Sequence, residues 1–276
     1  MKKMVECIIK KCLLLIAGVG FSLLSYAGHI DTVCVHSTAM NAFVNVTVVS
    51  PTDNASQHPV VYLLHGAYGN HFSWLEIKPD LPRKSDELGL IFVTPEAHNT
   101  WYFDSPVHAE IRYESFLTNE LVNYIDTHYT TIPARRGRAI AGLSMGGHGA
   151  LFCAMRHKDV YGAAGSMSGG VDFRPFPLNW NIQDELGEMA ANKKIWDEHV
   201  VVNQIDKIEN GDLALIVDCG EQDFFLEVNK SLHLRLLGKG IDHDFTTRPG
   251  GHDSTYWANS LDYQLLFFIK YFNEQN

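Results

Sequence analysis

Gly142-Leu143-Ser144-Met145-Gly146 follows the apolar run Arg138-Ala139-Ile140-Ala141 and precedes a small-residue helical start, Gly147-His148-Gly149-Ala150-Leu151. A strand, a glycine-pinched turn and a helix in that order are what a nucleophile elbow requires. The serine of such a turn sits in strained φ/ψ space, which only flanking residues without bulk permit. Ser144 is the candidate nucleophile. A G-x-S-x-G string also arises by chance, so its context must supply a base, an acid that orients the base, and two N–H donors for an oxyanion.

The rest of the chain predicts that context. Val60-Val61-Tyr62-Leu63-Leu64 and Leu90-Ile91-Phe92-Val93-Thr94 are unbroken apolar runs of strand length, as are Ala139 to Leu143 and Leu213 to Val217. Such runs mark central strands covered on both faces. Earlier, Thr32 to His36 and Phe43 to Val49 alternate as strands and are expected to pair antiparallel. Leu117, Leu121, Tyr124 and Ile125 place one apolar stripe on a helix from about Tyr113 to Thr127. Leu232 to Leu237 mark a second helix before Gly238, and Tyr256 to Phe272 a third. Strands alternating with helices predict an α/β fold: a mainly parallel sheet of about eight strands with helices on both faces. Residues 170–208 fit neither period and are expected to form a helical insertion over the carboxyl edge of the sheet, where such folds bind ligands.

Two further loops stand at strand ends on the same rim as Ser144. Gly220-Glu221-Gln222-Asp223 follows one strand, and Pro249-Gly250-Gly251-His252 follows Phe245-Thr246-Thr247-Arg248. The chain order Ser144, Asp223, His252 is that of the α/β-hydrolases. Neutral His252 would take the Ser144 proton during attack on an ester carbonyl, and Asp223 would fix its tautomer. Asp218 is the rival acid, but it falls within the apolar run, before the turn. Asp244 and Asp253 adjoin the histidine strand and are expected to be surface or capping groups. Met145 N–H, just after the nucleophile, is the first oxyanion donor; Ala67 N–H, in His65-Gly66-Ala67 after the third strand, is the second. Gly165-Ser166-Met167-Ser168-Gly169 resembles the elbow but lacks glycine two places before either serine, and reads as a tight turn at the end of the sixth strand.

Aromatic residues crowd these loops: Trp101, Tyr102, Trp180, Phe224, Phe225, Tyr256 and Trp257. They either pack the insertion onto the core or line an acyl or aryl pocket. His65, Trp101, Tyr102, Trp180, Phe225 and Trp257 are the substrate-binding candidates, with His65 also placed to brace the oxyanion loop. Fourteen histidines raise the question of metal. No H-E-x-x-H, H-x-x-E-H or paired C-x-x-C occurs, and His71, His98 and His108 sit in polar loops, so no metal or cofactor is expected.

The first 27 residues differ from the rest. Lysines at 2, 3, 10 and 11 precede the apolar run Cys12 to Leu24, which ends at Ser25-Tyr26-Ala27. This reads as a signal peptide with cleavage after Ala27, followed by one domain over 28–276, and so as an exported protein, periplasmic or extracellular. The apolar run is short for a membrane anchor. Removing the leader takes four lysines and Glu6 from a chain of formal charge −10, leaving about −13. That balance argues against nucleic acid or anionic membrane partners. Cys34, Cys153 and Cys219 would remain, expected as buried core thiols without a disulfide framework.

Tyr62-Leu63-Leu64-His65-Gly66-Ala67-Tyr68-Gly69-Asn70, Ser73-Trp74-Leu75, Asn99-Thr100-Trp101-Tyr102, Ala141 to Gly147 and Cys219 to Phe224 together resemble the Putative esterase family. That family includes tributyrin and acetyl esterases, S-formylglutathione hydrolases, feruloyl and acetylxylan esterases and the antigen 85 mycolyltransferases. The resemblance spans about residues 30–272 and is greatest to the tributyrin and acetyl esterase branch. It implies an α/β-hydrolase fold and carboxylic ester hydrolysis, with Ser144, Asp223 and His252 on the family triad and Ala67 and Met145 on its oxyanion hole. S-formylglutathione hydrolases carry a cysteine-bearing loop where this chain has His65 to Gly69, which weighs against that thioesterase activity. The expected function is a secreted, cofactor-free serine esterase acting on short-chain acyl or carbohydrate-linked esters. A feruloyl esterase or S-formylglutathione hydrolase-like thioesterase, an acyltransferase and a non-catalytic carbohydrate-binding member are the alternatives.

Overall fold

The computed structural model describes residues 28–275, so the leader expected at residues 1–27 lies outside the described residues. Eight strands form one sheet: β1 (His29–Ser37), β2 (Ala42–Ser50), β3 (Val60–Leu64), β4 (Ile91–Pro95), β5 (Arg138–Leu143), β6 (Ala163–Met167), β7 (Ala214–Gly220) and β8 (Asp244–Arg248). Their order is β1-β2-β4-β3-β5-β6-β7-β8. The β1–β2 and β2–β4 pairs are antiparallel, and the pairs from β4 through β8 are parallel.

Alternation along each central strand divides the core in two, because successive side chains point to opposite faces. Val60, Tyr62, Leu64, Ile91, Val93 and Ile140 enter one cluster. It is completed by α3 (Leu121–His128), α4 (Met145–Arg156) and α7 (Leu226–Gly238) through residues such as Leu121, Leu151 and Leu232. Val61, Leu63, Phe92, Ala139 and Ala141 enter the other, covered by α1 (Ser73–Ile77), α2 (Leu81–Leu88) and α8 (Ser254–Glu274) through Trp74, Leu81, Leu261 and Phe268. A single π turn, Phe116–Glu120, leads into α3.

Residues 170–208 do form a helical insertion, made of α5 (Ile182–Leu186), α6 (Lys193–His199) and two 3₁₀ turns. Phe173, Trp196 and Val200 to Val202 bury it against α4.

The chain departs from expectation in two places. Gly165 to Met167 belong to strand β6 itself, not to a turn after it, and only Ser168-Gly169 bend away. The run Ala-Ala-Gly-Ser-Met carries little apolar signal, but small residues are needed there. A Cβ on Gly165 would lie 2.1 Å from Gln264 Oε1 of α8. Cys34 is exposed, because β1 is an edge strand and this position faces solvent; Cys153 and Cys219 are buried, and all three are free thiols.

Candidate active site

β5 ends at Leu143 and α4 begins at Met145, so Ser144 alone makes the turn, at φ +54 and ψ −118. That conformation costs about 1–3 kcal/mol for a residue with a Cβ and persists only where its surroundings fix it. Here they do. Ser144 N–H donates to Met167 O at 3.0 Å, and Ser144 O accepts from His148 N and Gly170 N, both at 3.1 Å. The glycines are steric requirements: a Cβ on Gly142 would stand 2.4 Å from Gly146 C, and one on Gly146 2.3 Å from Leu64 O. Gly146→Ala is therefore expected to cost more than 3 kcal/mol and to leave most of the protein insoluble on expression, since the obstructing atom is backbone. Soluble protein of wild-type Tm would contradict this.

The loops after β7 and β8 are locked together. Glu221 N donates to Arg248 O, Gln222 N to Gly250 O, and Gly250 N to Gln222 Oε1. A Cβ on Gly220 would lie 2.4 Å from Gly250 O, so the two loops touch backbone to backbone. The result is a continuous chain of hydrogen bonds. Asp223 Oδ1 accepts from Phe225 N at 2.8 Å, Asp223 Oδ2 lies 2.8 Å from His252 Nδ1, and His252 Nε2 lies 2.9 Å from Ser144 Oγ. A carboxylate only accepts, so Nδ1 carries the imidazole proton and Nε2 offers its lone pair to the serine hydroxyl. The Asp223 side chain is fully buried, whereas His252 is partly exposed.

Asp218, the rival acid, is elsewhere. It lies buried at the end of β7 and accepts from Tyr256 Oη (2.9 Å), Ser260 Oγ (2.6 Å) and Gln264 Nε2 (2.8 Å). Burial holds its carboxyl above the usual range, opposed by those hydrogen bonds and by Arg248. Asp253 caps α8 by accepting from Tyr256 N, and Asp244 is exposed at the start of β8.

A pocket of about 250 Å³ opens over Ser144, lined by Gly66, Ala67, Tyr68, Gly69, Ser73, Ile77, Leu143, Ser144, Trp180, His252 and Trp257. Of the two expected oxyanion donors, Ala67 lines this pocket and Met145 directly follows Ser144 in the chain. Met145 is the first residue of α4, where an N–H has no partner within the helix. The Ala67 loop is braced from behind. His65 Nδ1 lies 2.7 Å from Gly66 O, and its Nε2 accepts from Ala97 N at 3.0 Å. Burial lowers the His65 pKa, which keeps the ring neutral for this pair of bonds. Tyr102 Oη donates to His65 O, and Tyr68 N donates to Asn99 Oδ1 at 2.6 Å.

Of the six expected substrate contacts, Trp180 and Trp257 line the pocket. His65, Trp101, Tyr102 and Phe225 are fully buried behind it. Trp101 Nε1 donates to Trp180 O, and Phe225 packs beneath Trp180 and Phe176, so both support the wall. Tyr68, at φ +63 and largely exposed, was not expected in the pocket; its only sequence signal is its place one residue after the oxyanion candidate. Phe224 sits over His252 with ring centroids 4.3 Å apart and stacks on Trp180 at 5.7 Å. Among the described residues no group of three or more His, Cys, Asp or Glu is arranged to hold a metal ion.

His148, four residues after Ser144, is completely buried among Trp101, Phe103, Phe152 and Phe173, and burial pushes its pKa down to about 3. The unfolded chain binds this proton below about pH 6.5 and the folded chain does not, so stability is full above 6.5 and declines as pH falls toward 3. The slope from this one group is up to about 1.4 kcal/mol per pH unit. His65 acts with the same sign and Asp218 with the opposite one. Tm is expected to fall between pH 6.5 and 4.5 in the wild type and to fall less steeply in His148→Gln. Equal slopes in the two proteins would contradict the assignment.

An elbow serine, an imidazole and a carboxylate at the carboxyl ends of parallel strands in this order define an α/β-hydrolase. The comparisons agree. Residues 37–268 match the model of the Putative esterase family, so the chain belongs to that family and is a carboxylic ester hydrolase. It is 26% identical over 222 residues to an acetyl esterase of Caldicellulosiruptor saccharolyticus, covering 74% of this chain and 82% of the relative. It is 28% identical over 240 residues to an esterase of Mycobacterium tuberculosis, covering 75% of this chain but only 52% of that protein, about half its length. Among solved structures, a ferulic acid esterase superposes with TM-score 0.77 at 30% identity, covering 90% of this chain and all of the other. An S-formylglutathione hydrolase from Agrobacterium tumefaciens, at 22% identity, shares the fold with TM-score 0.76, covering 90% of this chain and 97% of the other.

Proposed function

We propose that the protein is a secreted serine esterase that hydrolyses short-chain acyl or carbohydrate-linked esters through an acyl-enzyme on Ser144. The observation that carries this reading is the unbroken hydrogen-bond chain from Ser144 Oγ through His252 to Asp223. In the first half-reaction Ser144 Oγ attacks the ester carbonyl carbon while its proton passes to His252 Nε2. Met145 N–H and Ala67 N–H receive the oxyanion. The C–O bond to the alcohol then breaks, and the imidazolium gives its proton to the leaving oxygen. Water repeats the sequence in reverse and frees the acid. Asp223 holds the imidazole proton on Nδ1 throughout and stabilises the imidazolium.

The pocket, at about 250 Å³, has room for a short acyl group. The similarity to an acetyl esterase supports the same choice. Export rests on the composition of residues 1–27; among the described residues, no helix is long and apolar enough to cross a membrane. A feruloyl ester is the second reading, favoured by the aromatic wall of Tyr68, Trp180 and Trp257 and by the likeness to a ferulic acid esterase. Comparing p-nitrophenyl acetate, p-nitrophenyl butyrate and methyl ferulate decides between them. The first reading expects the highest kcat/KM on acetyl or butyryl esters; higher kcat/KM on methyl ferulate would replace it with the second, and no turnover of any of the three would contradict both.

A further inference from the structure

Ala67 N–H belongs to the peptide unit whose other end is the Gly66 carbonyl, and in a trans peptide the two point in opposite directions. Whatever holds the carbonyl therefore aims the amide. Gly66 O accepts from His65 Nδ1–H at 2.7 Å and from Gly69 N–H at 3.1 Å. The next peptide is pinned as well, because Tyr68 N–H donates to Asn99 Oδ1 at 2.6 Å. Between the two pins, Ala67 N–H has no acceptor among the described residues, although Ala67 lines the Ser144 pocket. A Cβ on Gly66 would stand 3.3 Å from Ser144 Cβ, so this stretch of backbone lies against the elbow.

Both pins trace to the neighbouring loop after β4. Ala97 N–H donates to His65 Nε2 at 3.0 Å, which leaves the ring proton on Nδ1 for Gly66 O. Thr100 Oγ1 closes that loop on Ala97 O at 2.8 Å, with Asn99 between them. A flip of the Gly66–Ala67 peptide would break both bonds at Gly66 O and turn that carbonyl to the side where the amide now lies. Tyr68, at φ +63, already sits in the sparsely populated left-handed region, so the loop keeps its shape only where its surroundings fix it. We infer that His65 and Asn99 are positioning residues, which hold the Ala67 amide preformed for the transition state and so set the rate at Ser144. Neither side chain lines the Ser144 pocket, so neither is needed to bind the ground state. Their role rests on the reading that Ser144 carries the acyl group and Ala67 N–H receives the oxyanion.

The test is hydrolysis of p-nitrophenyl acetate by Asn99→Ala, Asn99→Asp and His65→Gln, beside inhibition by trifluoroacetone. Ser144 Oγ adds to that ketone, its proton passes to His252, and the hemiketal oxyanion takes the same donors as the ester. Both half-reactions form an oxyanion, so kcat is expected to fall while KM holds. One oxyanion donor is worth about 10²–10³ in kcat, and Asn99→Ala is expected to lose about tenfold or more of it, with KM within about threefold of wild type. The trifluoroacetone Ki is expected to rise by the same factor as kcat falls. Asn99→Asp keeps an oxygen to accept from Tyr68 N–H and is expected to restore kcat to within about threefold of wild type. Asn99 is half-buried, so its truncation spares the core, and its variants decide the case if His65→Gln does not fold. Wild-type kcat in Asn99→Ala, a rise in KM in place of a fall in kcat, or Asn99→Asp no better than alanine would overturn the assignment. No turnover by the wild-type chain would instead contradict the esterase reading, and the positioning role with it.

Discussion

Ser144→Ala and Ser144→Gly are both expected to lower kcat on p-nitrophenyl acetate by about 10⁵-fold or more, and the glycine variant is expected to be the more stable of the two by about 1 kcal/mol. Each loses the nucleophile and the hydrogen bond to His252, so those terms cancel in the comparison. What differs is the backbone. At ordinary positions glycine is worse than alanine by about 0.4–1 kcal/mol, because the unfolded chain gains freedom. At φ +54 alanine retains a strain of about 1–3 kcal/mol that glycine does not have. For a chain of this size 1 kcal/mol corresponds to about 2–4 °C in Tm. A glycine variant with Tm equal to or below that of the alanine variant would show that the elbow is not strained, and kcat within tenfold of wild type in either would remove Ser144 from the chemistry.

The second large effect separates two aspartates five residues apart. Asp223→Asn is expected to lower kcat by about 10⁴-fold while leaving Tm near wild type, because the amide lets His252 adopt the wrong tautomer without changing its position. Asp218→Ala is expected to act the other way. It strips a buried acceptor from Tyr256, Ser260 and Gln264 and leaves Arg248 without the carboxylate 3.7 Å away. Stranding several buried donors costs about 3 kcal/mol or more. Paired kcat and Tm measurements on the two variants check this. The reverse pattern, with Asp218 dominating kcat and Asp223 dominating Tm, would exchange their roles.

How far the sequence revealed the site depended on how each residue announces itself. Unbroken apolar runs showed β3, β4, β5 and β7, and the turns after them carry the reactive side chains, so Asp223 could be preferred to Asp218 from its place beyond the strand end alone. The extent of β6 was misjudged, with Gly165 to Met167 read as the turn after it, because its small residues are dictated by Gln264 and Phe268 of α8, a long-range contact with no local signature. The insertion shows no period because it is built from short helices and 3₁₀ turns whose burial comes from isolated large residues, Phe173 and Trp196. Aromatics were the least legible. Trp101 and Trp180 stand in similar loops with nearly the same positive φ, yet Trp101 is buried and donates to Trp180 O while Trp180 lines the pocket, a difference set by long-range packing. Phe43 on β2 and Glu185 in the insertion line one cavity, although 141 positions lie between them in the chain.

In the proposed mechanism the acyl group passes through Ser144. Mixing the protein with p-nitrophenyl acetate, quenching in acid during the first turnovers and mapping the digest by mass spectrometry tests it most directly. One acetyl group is expected on the peptide carrying Ser144, absent in Ser144→Ala and accumulating when water attack is slowed. Turnover with no adduct on that peptide, or with the adduct on another residue, would contradict it.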